Sequence, residues 1–337
     1  MTPDNPATRS HSEDEPLALY VHWPFCVSKC PYCDFNSHVR EQVDQARWRD
    51  ALLLDLAHEV AALPGRRLGS IFFGGGTPSL MPPATVAAII QAAISAWSPV
   101  ADLEITLEAN PSSVEAARFA DLAAAGVNRV SLGLQALNDR ALHFLGRAHD
   151  VAEGLGALDT AQRSFARVSF DLIYARPGQP IDDWEAELRR ALSFGTEHLS
   201  LYQLTIEPGT RFATEAAAGR LVIPDADTAA DLFERTRAIT AIAGIPAYEV
   251  SNHARAGAQS RHNLAYWRYR DYAGIGPGAQ GTDQLGVLVG RAGPGVLAVS
   301  EQLELVRADL DVDGRIRGEG IAALERHLAV LARAIGD

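Results

Sequence analysis

Cysteine is scarce in this chain of 337 residues: there are three, Cys26, Cys30 and Cys33, all in the run Phe25-Cys-Val-Ser-Lys-Cys-Pro-Tyr-Cys-Asp-Phe35. A disulfide framework is therefore the least expected use of sulfur, and thiols in a chain without an export signal bind metal more often than they pair. Long apolar runs are missing too. No stretch approaches the roughly 20 residues that a spanning helix requires, so no integral membrane segment is expected. The opening Met1–Pro16 is polar and acidic, with no apolar core after a charged start. It reads as a disordered tail and not as a secretory signal, and the expected location is the cytoplasm. Positive charge is in deficit, with 30 Lys and Arg against 42 Asp and Glu and a formal net charge of −12. The basic residues are scattered, so the basic stripe of a nucleic-acid groove is absent. What is plentiful is apolar side chain, 47% of the total, enough for a sizeable core.

From Leu17 onward short β-rich runs alternate with longer helical patterns. The runs are Leu17–His22, Leu68–Phe73, Leu103–Leu107, Arg129–Leu134, Val168–Tyr174 and Leu199–Ile206. Amphipathic stretches lie between them, at Trp48–Leu63, Pro83–Trp97, Val114–Ala125, Val151–Arg163 and Asp182–Phe194. Strands each followed by a helix imply a parallel sheet with right-handed crossovers. Six such units suit a partial (β/α)6 barrel of the TIM-like kind better than a closed eight-fold one. A seventh unit follows, a helix over Asp225–Ala243 and a strand over Ala247–Asn252. The expected division is a tail over 1–16, the partial barrel over 17–250, a further segment over 251–281 and an atypical or truncated C-terminal region over 282–337.

Ligands of parallel α/β folds sit outside the carboxyl ends of the strands, and polar residues gather there. The second strand ends in Gly74-Gly75-Gly76-Thr77-Pro78, whose glycines let backbone approach a ligand and leave N–H groups to meet it. A plain glycine-rich turn is the competing reading. The third strand ends in Glu108-Ala109-Asn110-Pro111, the fourth in Gln135, and the sixth carries Tyr202 and Gln203. The fifth holds Asp171 inside an apolar run, and a charge in a buried strand costs several kcal/mol unless paired. Its partner is either a basic side chain, with Arg147 a candidate, or a polar ligand.

The spacing C-x3-C-x2-C supplies three thiolates and no fourth. Structural zinc wants four tight ligands, so a zinc site would need His22, His38 or Asp34 to complete it. A [4Fe–4S] cluster is the more natural tenant. Its fourth iron lacks a protein sulfur and stays open to a small molecule bearing amino and carboxylate groups.

C-x3-C-x2-C with an aromatic residue, Tyr32, before the last cysteine resembles the signature of the radical S-adenosylmethionine superfamily. The resemblance continues through Leu-Tyr-Val-His-Trp-Pro-Phe-Cys (19–26), Gly-Gly-Gly-Thr-Pro-Ser-Leu (74–80), Glu-Ala-Asn-Pro (108–111), Gly-Val-Asn-Arg-Val-Ser-Leu-Gly-Leu-Gln (126–135), Leu-Gly-Arg-Ala-His (145–149), Phe-Asp-Leu-Ile-Tyr (170–174) and Leu-Tyr-Gln-Leu-Thr-Ile-Glu-Pro-Gly-Thr (201–210). These are similar to the oxygen-independent coproporphyrinogen III oxidase group, and most of all to its haem-chaperone branch. The match runs from about Leu17 to Gly281. It implies that Cys26, Cys30 and Cys33 ligate a [4Fe–4S] cluster. It further implies that Tyr20, Gly75, Gly76, Thr77, Glu108, Gln135, Arg147 and Asp171 contact S-adenosylmethionine, which the cluster can cleave to methionine and a 5′-deoxyadenosyl radical.

Two positions separate the branches. The oxidase resembles C-x3-C-x2-C-x-C, and here the extra cysteine's place is taken by Phe35. The run His262-Asn263-Leu264-Ala265-Tyr266-Trp267 reproduces the H-N-x-x-Y-W pattern typical of the chaperones. A histidine can offer a neutral ring nitrogen to haem iron, and aromatics can stack on a porphyrin. The resemblance thus implies haem bound through His262, Asn263, Tyr266 and Trp267, with His253 a weaker rival to His262, and delivery of haem to haem-requiring respiratory enzymes. Contact with the inner face of the membrane follows where those recipients are membrane enzymes. The alternative is a radical coproporphyrinogen III oxidase of porphyrin biosynthesis. Two departures stand out: Gln280 occupies a place where the family commonly has histidine, and the last 56 residues do not match its usual helical C-terminal domain.

Overall fold

A computed structural model describes residues 15–279 together with the short antiparallel pair Gly281–Thr282 and Leu288–Val289. The expected tail over 1–16 therefore lies almost wholly outside the described residues. So do Gln280 and nearly all of the expected region 282–337.

The apolar runs form strands β1 (Leu17–Trp23), β2 (Arg67–Gly75), β3 (Ser98–Ala109), β4 (Arg129–Gln135), β5 (Arg167–Tyr174) and β6 (His198–Gln203). Two short strands, β7 (Asn252–Ala254) and β8 (Tyr272–Ile275), complete one eight-stranded sheet in the order β8-β1-β2-β3-β4-β5-β6-β7. All neighbours are parallel except β6 and β7. The sheet has two edges and does not close on itself, as a partial barrel requires.

The strands alternate strictly. Val21, Ile71, Leu107, Val130, Phe170 and Leu199 point to one face and are fully buried. Many of the intervening residues are polar: Ser70, Glu104, Thr106, Arg129, Ser131, Ser169, His198 and Ser200, all at most 7% exposed, and the half-buried Asp171. Parallel pairing brings them side by side, Ser70 with Glu104, Thr106 with Arg129, Ser131 with Ser169 and Asp171 with Ser200. Side chains alternate with period two, so one face packs on helices while the other is a polar lumen.

The covering helices start on side-chain caps. Helix α1 (Gln45–Ala62) opens on Asp44, whose carboxylate accepts from the Arg47 N–H, and the helix Val151–Ser164 opens on Asp150 in the same way. Each cap satisfies a donor that the first turn cannot. The stretch expected as one helix over Val114–Ala125 is two, Ser113–Ala116 and Phe119–Ala124. The break falls at Ala117–Arg118, just after Glu115, a carboxylate 3% exposed that accepts from Ser79 Oγ and the Asn110 N–H and so draws the first turn toward the sheet.

Two further expectations need correction. The strand expected over Ala247–Asn252 forms at Asn252–Ala254, because Tyr248 N–H donates to Asn252 O and turns the chain within the expected span. The lumen is also plugged by a helix that periodicity did not show, α2 (Arg261–Trp267). Its first turn hangs on Glu104, whose Oε1 accepts from the Arg261 N–H at 2.9 Å and the His262 N–H at 3.3 Å. Glu104 Oε2 pairs with Arg167 Nη1 at 2.6 Å, and Arg167 Nη2 holds Ala258 O at 2.6 Å.

Candidate cluster and nucleotide site

The cysteine loop leaves β1 and returns to α1, and its ends are tied together. Phe25–Cys26 pairs with His38–Val39 as a two-residue parallel ladder, and the His38 N–H donates to Pro24 O. His22 Nε2 donates to Asn36 O at 2.9 Å, which leaves Nδ1 to accept from Tyr20 OH at 3.0 Å. Lys29 Nζ reaches the carbonyls of Phe35 and Ser37. Cys26, Cys30 and Cys33 are free thiols at intermediate exposure. Each sulfur has polar neighbours: Thr77 Oγ1 donates to Cys26 Sγ at 3.5 Å, Arg147 Nη1 to Cys30 Sγ at 3.3 Å, and Ser37 Oγ lies 3.9 Å from Cys33 Sγ. Burial pushes the Cys26 thiol up, and the bond from Thr77 opposes that.

All three thiols line one cavity of about 360 Å³. Gly75, Gly76, Thr77, Glu108, Gln135, Arg147 and Asp171 line the same cavity. Tyr20 does not. It stands in an aromatic group with Phe72 and His262, its hydroxyl given to His22. Tyr202 and Gln203 also lie outside the cavity, and Gln203 donates to Ala229 O.

The glycines work differently from the expectation. Their N–H groups are not free: Gly76 donates to Trp23 O at 2.7 Å, Thr77 to Phe25 O at 2.8 Å, and Gly75 to the Glu108 carboxylate. A side chain on Gly75 would meet the His22 ring at 2.6 Å, and one on Gly76 the Phe25 backbone at 2.7 Å. The run is glycine so that β2 can press against the root of the cysteine loop. Gly75 also has φ +113°, open to few other residues.

Glu108 and Asp171 share the polar face of the sheet at the cavity. Desolvation and the neighbouring Asp171 push Glu108 up to about 8, against the Gly75 N–H. Desolvation likewise lifts Asp171 to about 6, opposed by hydrogen bonds from Ser200 and Ser131, the latter at 3.2 Å. The candidate partner, Arg147, makes no hydrogen bond to Asp171 and acts on it only through its charge, after Arg129. Arg129, 3% exposed, was not singled out as a site residue, although a cation on the inward side of a buried strand was the available signal. Arg147 instead donates through Nη2 to Asn110 Oδ1 and Gly133 O, and its Nε is buried without a partner. Asn110 was passed over as well. Its Nδ2 donates to Thr77 Oγ1 at 3.1 Å, so Thr77, Asn110 and Arg147 form one chain of bonds from Cys26 to Cys30. Gln135 sits at φ +67°, where the pairing of β4 with β5 slips. A strained non-glycine residue of this kind is characteristic of binding sites.

The donor set discriminates between metals. Among the described residues no three His, Cys, Asp or Glu side chains gather around a point that could hold one metal ion. Zinc needs its sulfurs about 2.3 Å from a single centre. A cubane cluster is bound through different irons, so its three thiolates need only line a common cavity, as Cys26, Cys30 and Cys33 do. The half-exposed thiols, the orphaned Arg147 Nε and the two desolvated carboxylates fit a cluster with a polar ligand beside it.

The second expected site is more enclosed. His262 is 2% exposed, Nδ1 hydrogen-bonds Ser70 Oγ at 3.1 Å, and Nε2 hydrogen-bonds Tyr266 OH at 2.8 Å. Its ring stacks on Phe72, and burial holds its pKa down at about 3. Asn263 Nδ2 donates to Tyr248 OH, while Tyr266 and Trp267 are 37% and 51% exposed. His253 is bound to Thr240 Oγ1 and fully buried. No helix among the described residues is long and apolar enough to cross a membrane.

Comparison with known proteins identifies the family. The Radical SAM superfamily family model matches residues 20–191. The chain is 44% identical over 271 residues to the heme chaperone HemW of Escherichia coli, covering 79% of this chain and 70% of that protein. It is 46% identical over 281 residues to the mitochondrial radical S-adenosyl methionine domain-containing protein 1 of Bos taurus, covering 83% of this chain. The chain spans only 62% of the length of that bovine relative. The crystal structure of coproporphyrinogen III oxidase, HemN, from Escherichia coli superposes with a TM-score of 0.67 at 25% identity, over 81% of this chain and 66% of that one. The chain belongs to the radical SAM superfamily and, within it, to the family that includes the bacterial heme chaperone HemW.

Proposed function

We propose that this chain is a radical SAM-type haem chaperone. In this reading Cys26, Cys30 and Cys33 hold a [4Fe–4S] cluster, the adjoining cavity takes S-adenosylmethionine, and the protein binds haem and passes it to haem-requiring respiratory enzymes. The observation that carries the reading is the convergence of three free thiols and the polar ends of consecutive strands on one cavity. Phe35, 61% exposed at the oxidase's extra-cysteine position, and the 44% identity to a heme chaperone favour this branch over the oxidase.

Each residue then has a chemical task. Thr77 donates to the Cys26 sulfur and Arg147 to the Cys30 sulfur, and these bonds orient the two side chains that would hold the cluster. Arg147 Nε, lacking a partner, is the natural donor to the nucleotide's carboxylate. Glu108 and Asp171 suit ribose hydroxyls and the amino group, and together they hold a proton that ligand hydroxyls can replace as donors. Gln135 closes the cavity between them and Arg147. Cluster and nucleotide, when bound, supply one-electron reductive cleavage, and the protein contributes placement and exclusion of water.

For haem, His262 is neutral at every physiological pH, the form that binds iron. Tyr266 must first release Nε2, and the exposed rings of Tyr266 and Trp267 then offer faces to the porphyrin. Anaerobic reconstitution followed by haem titration tests the reading. Saturable binding that His262→Ala weakens is expected. No saturable binding in the wild type, or conversion of coproporphyrinogen III, would overturn it.

A further inference from the structure

Among the described residues that line the nucleotide cavity, Gln135 is the one non-glycine residue with a left-handed backbone, at φ +67°. Two features set it there. Leu132 pairs with Phe170 and Gln135 with Leu172, so β4 takes three steps where β5 takes two, and a bulge of this kind re-aims a side chain. The Ala136 N–H then donates to Leu134 O at 2.9 Å, closing a three-residue turn centred on Gln135, a rare and strained form when φ is positive. The turn lays the Gln135 side chain back over Gly133. A Cβ on that glycine would lie 2.8 Å from Gln135 Nε2 and 3.4 Å from Arg147 Nη2. The place of the amide beside Arg147 thus depends on a backbone conformation that glutamine does not favour by itself.

Such strain persists only where the surroundings over-determine it. The restraint lies just beyond the turn. Both main-chain groups of Leu137 are held by side chains of the helix Ile181–Leu192. The Leu137 N–H donates to Glu187 Oε1 at 2.6 Å, and the Leu137 carbonyl accepts from Arg190 Nη1 at 3.2 Å. Residues three apart share a helix face, so one face of one helix grips the chain on both sides of the Leu137 Cα. Glu187 is itself anchored. Arg176 forms an ion pair with it, and Gln179 Nε2 lies 3.4 Å from Glu187 Oε2. Arg176 and Gln179 belong to the loop after β5, so the clamp ties the ends of β4 and β5 together. Leu137, Glu187 and Arg190 line a separate groove of about 800 Å³, and none of them lines the nucleotide cavity. Their action on that cavity runs through the chain between Gln135 and Leu137.

We propose that Glu187 and Arg190 are positioning residues of the nucleotide site: by clamping Leu137 they fix the left-handed turn at Gln135 and hold its amide beside Arg147, where S-adenosylmethionine binds. The inference rests on the nucleotide reading given above. Neither residue touches the ligand. Loss of either lets the turn relax toward an ordinary strand conformation, which carries the amide away from Arg147.

The test measures S-adenosylmethionine affinity by calorimetry on the full chain with its cluster reconstituted. Glu187→Ala and Arg190→Ala are each made in the wild type and in Gln135→Gly, a background in which no amide remains to be positioned. In the wild type, Glu187→Ala is expected to weaken binding about fivefold and Arg190→Ala about threefold. In Gln135→Gly, each should change affinity by less than about twofold. Glu187→Gln, which keeps an acceptor for the Leu137 N–H, should retain most of the wild-type affinity. An equal fall in both backgrounds, or no fall in the wild type, would overturn the proposal. Arg190 is exposed, so Arg190→Ala completes the cycle even where Glu187→Ala, which strips Arg176 of its partner, fails to fold. A wild type that binds no S-adenosylmethionine defeats the nucleotide reading itself. Amide hydrogen exchange of the ligand-free protein then decides the clamp: exchange at Ala136 and Leu137 should quicken in Glu187→Ala and stay slow in Glu187→Gln, and unchanged exchange in Glu187→Ala would refute it.

Discussion

Asn110 Oδ1 accepts a hydrogen bond from Arg147 Nη2, while its Nδ2 donates to Thr77 Oγ1. One amide thereby links the donors of two cysteine sulfurs, Thr77 with Cys26 and Arg147 with Cys30. Asn110→Ala removes the link and leaves Arg147 with one fewer acceptor, a loss of about 1–2 kcal/mol. The expected outcome is faster loss of iron to a chelator after anaerobic reconstitution, with the far-ultraviolet circular dichroism unchanged. Asn110→Asp, which keeps an acceptor for Arg147, should lose iron more slowly than Asn110→Ala.

Glu108 makes the ligand-free protein sensitive to base. Its folded pKa lies near 8, above the ordinary 4.5. The folded state therefore holds a proton that the unfolded chain has released, and Glu108's contribution to stability declines as pH rises from about 4.5 to about 8. Glu108→Gln should flatten that decline and raise stability at pH 8 by ~1–3 kcal/mol, read by urea denaturation across the range. The same variant should bind S-adenosylmethionine more weakly.

Gln135 holds a left-handed backbone at the cavity. Glycine adopts that conformation freely, so Gln135→Gly should cost little stability, within ~1 kcal/mol of wild type. Its nucleotide affinity, measured by calorimetry on the reconstituted protein, should fall, because the amide is lost from the site. Gly75→Ala has the opposite profile: the His22 ring stands in the way and φ is positive, so a drop of several kcal/mol is expected.

The class of fold and most of the cavity were legible in the sequence because both depend on local signals. Alternating runs marked the six main strands, and Asp171 within an apolar run marked the polar face. The lumen itself was less visible. Arg129, Ser131 and Ser169 were absorbed into apolar runs, and only pairing in register shows them on one face. Strand β8, Tyr-Ala-Gly-Ile, carries little intrinsic β signal and forms because β1 offers it an edge. Helix α2 is short and held from a distance, by Glu104, 157 residues before Arg261. Tyr20 shows what a strand pattern leaves out: it stands at the expected end of the sheet, and its hydroxyl bonds His22 Nδ1 beside the cavity's own lining.

Glu104 sets the position of His262. Glu104→Ala should free the first turn of α2 and strip Arg167 of a buried partner, a cost of ~3 kcal/mol or more. Tyr266→Phe acts more selectively, removing the hydroxyl from His262 Nε2 with the ring kept. On the haem reading this variant should bind haem more tightly than wild type, measured by titration of the Soret band.

The central claim is that Cys26, Cys30 and Cys33 hold a four-iron cluster with one iron open to S-adenosylmethionine. The most direct measurement is electron paramagnetic resonance of the reduced, anaerobically reconstituted protein before and after addition of S-adenosylmethionine. The account predicts a cluster signal whose g-values shift on addition, and no signal in the variant with all three cysteines changed to alanine. A protein that carries one zinc and no iron, or a cluster signal that the nucleotide leaves unchanged, would contradict it.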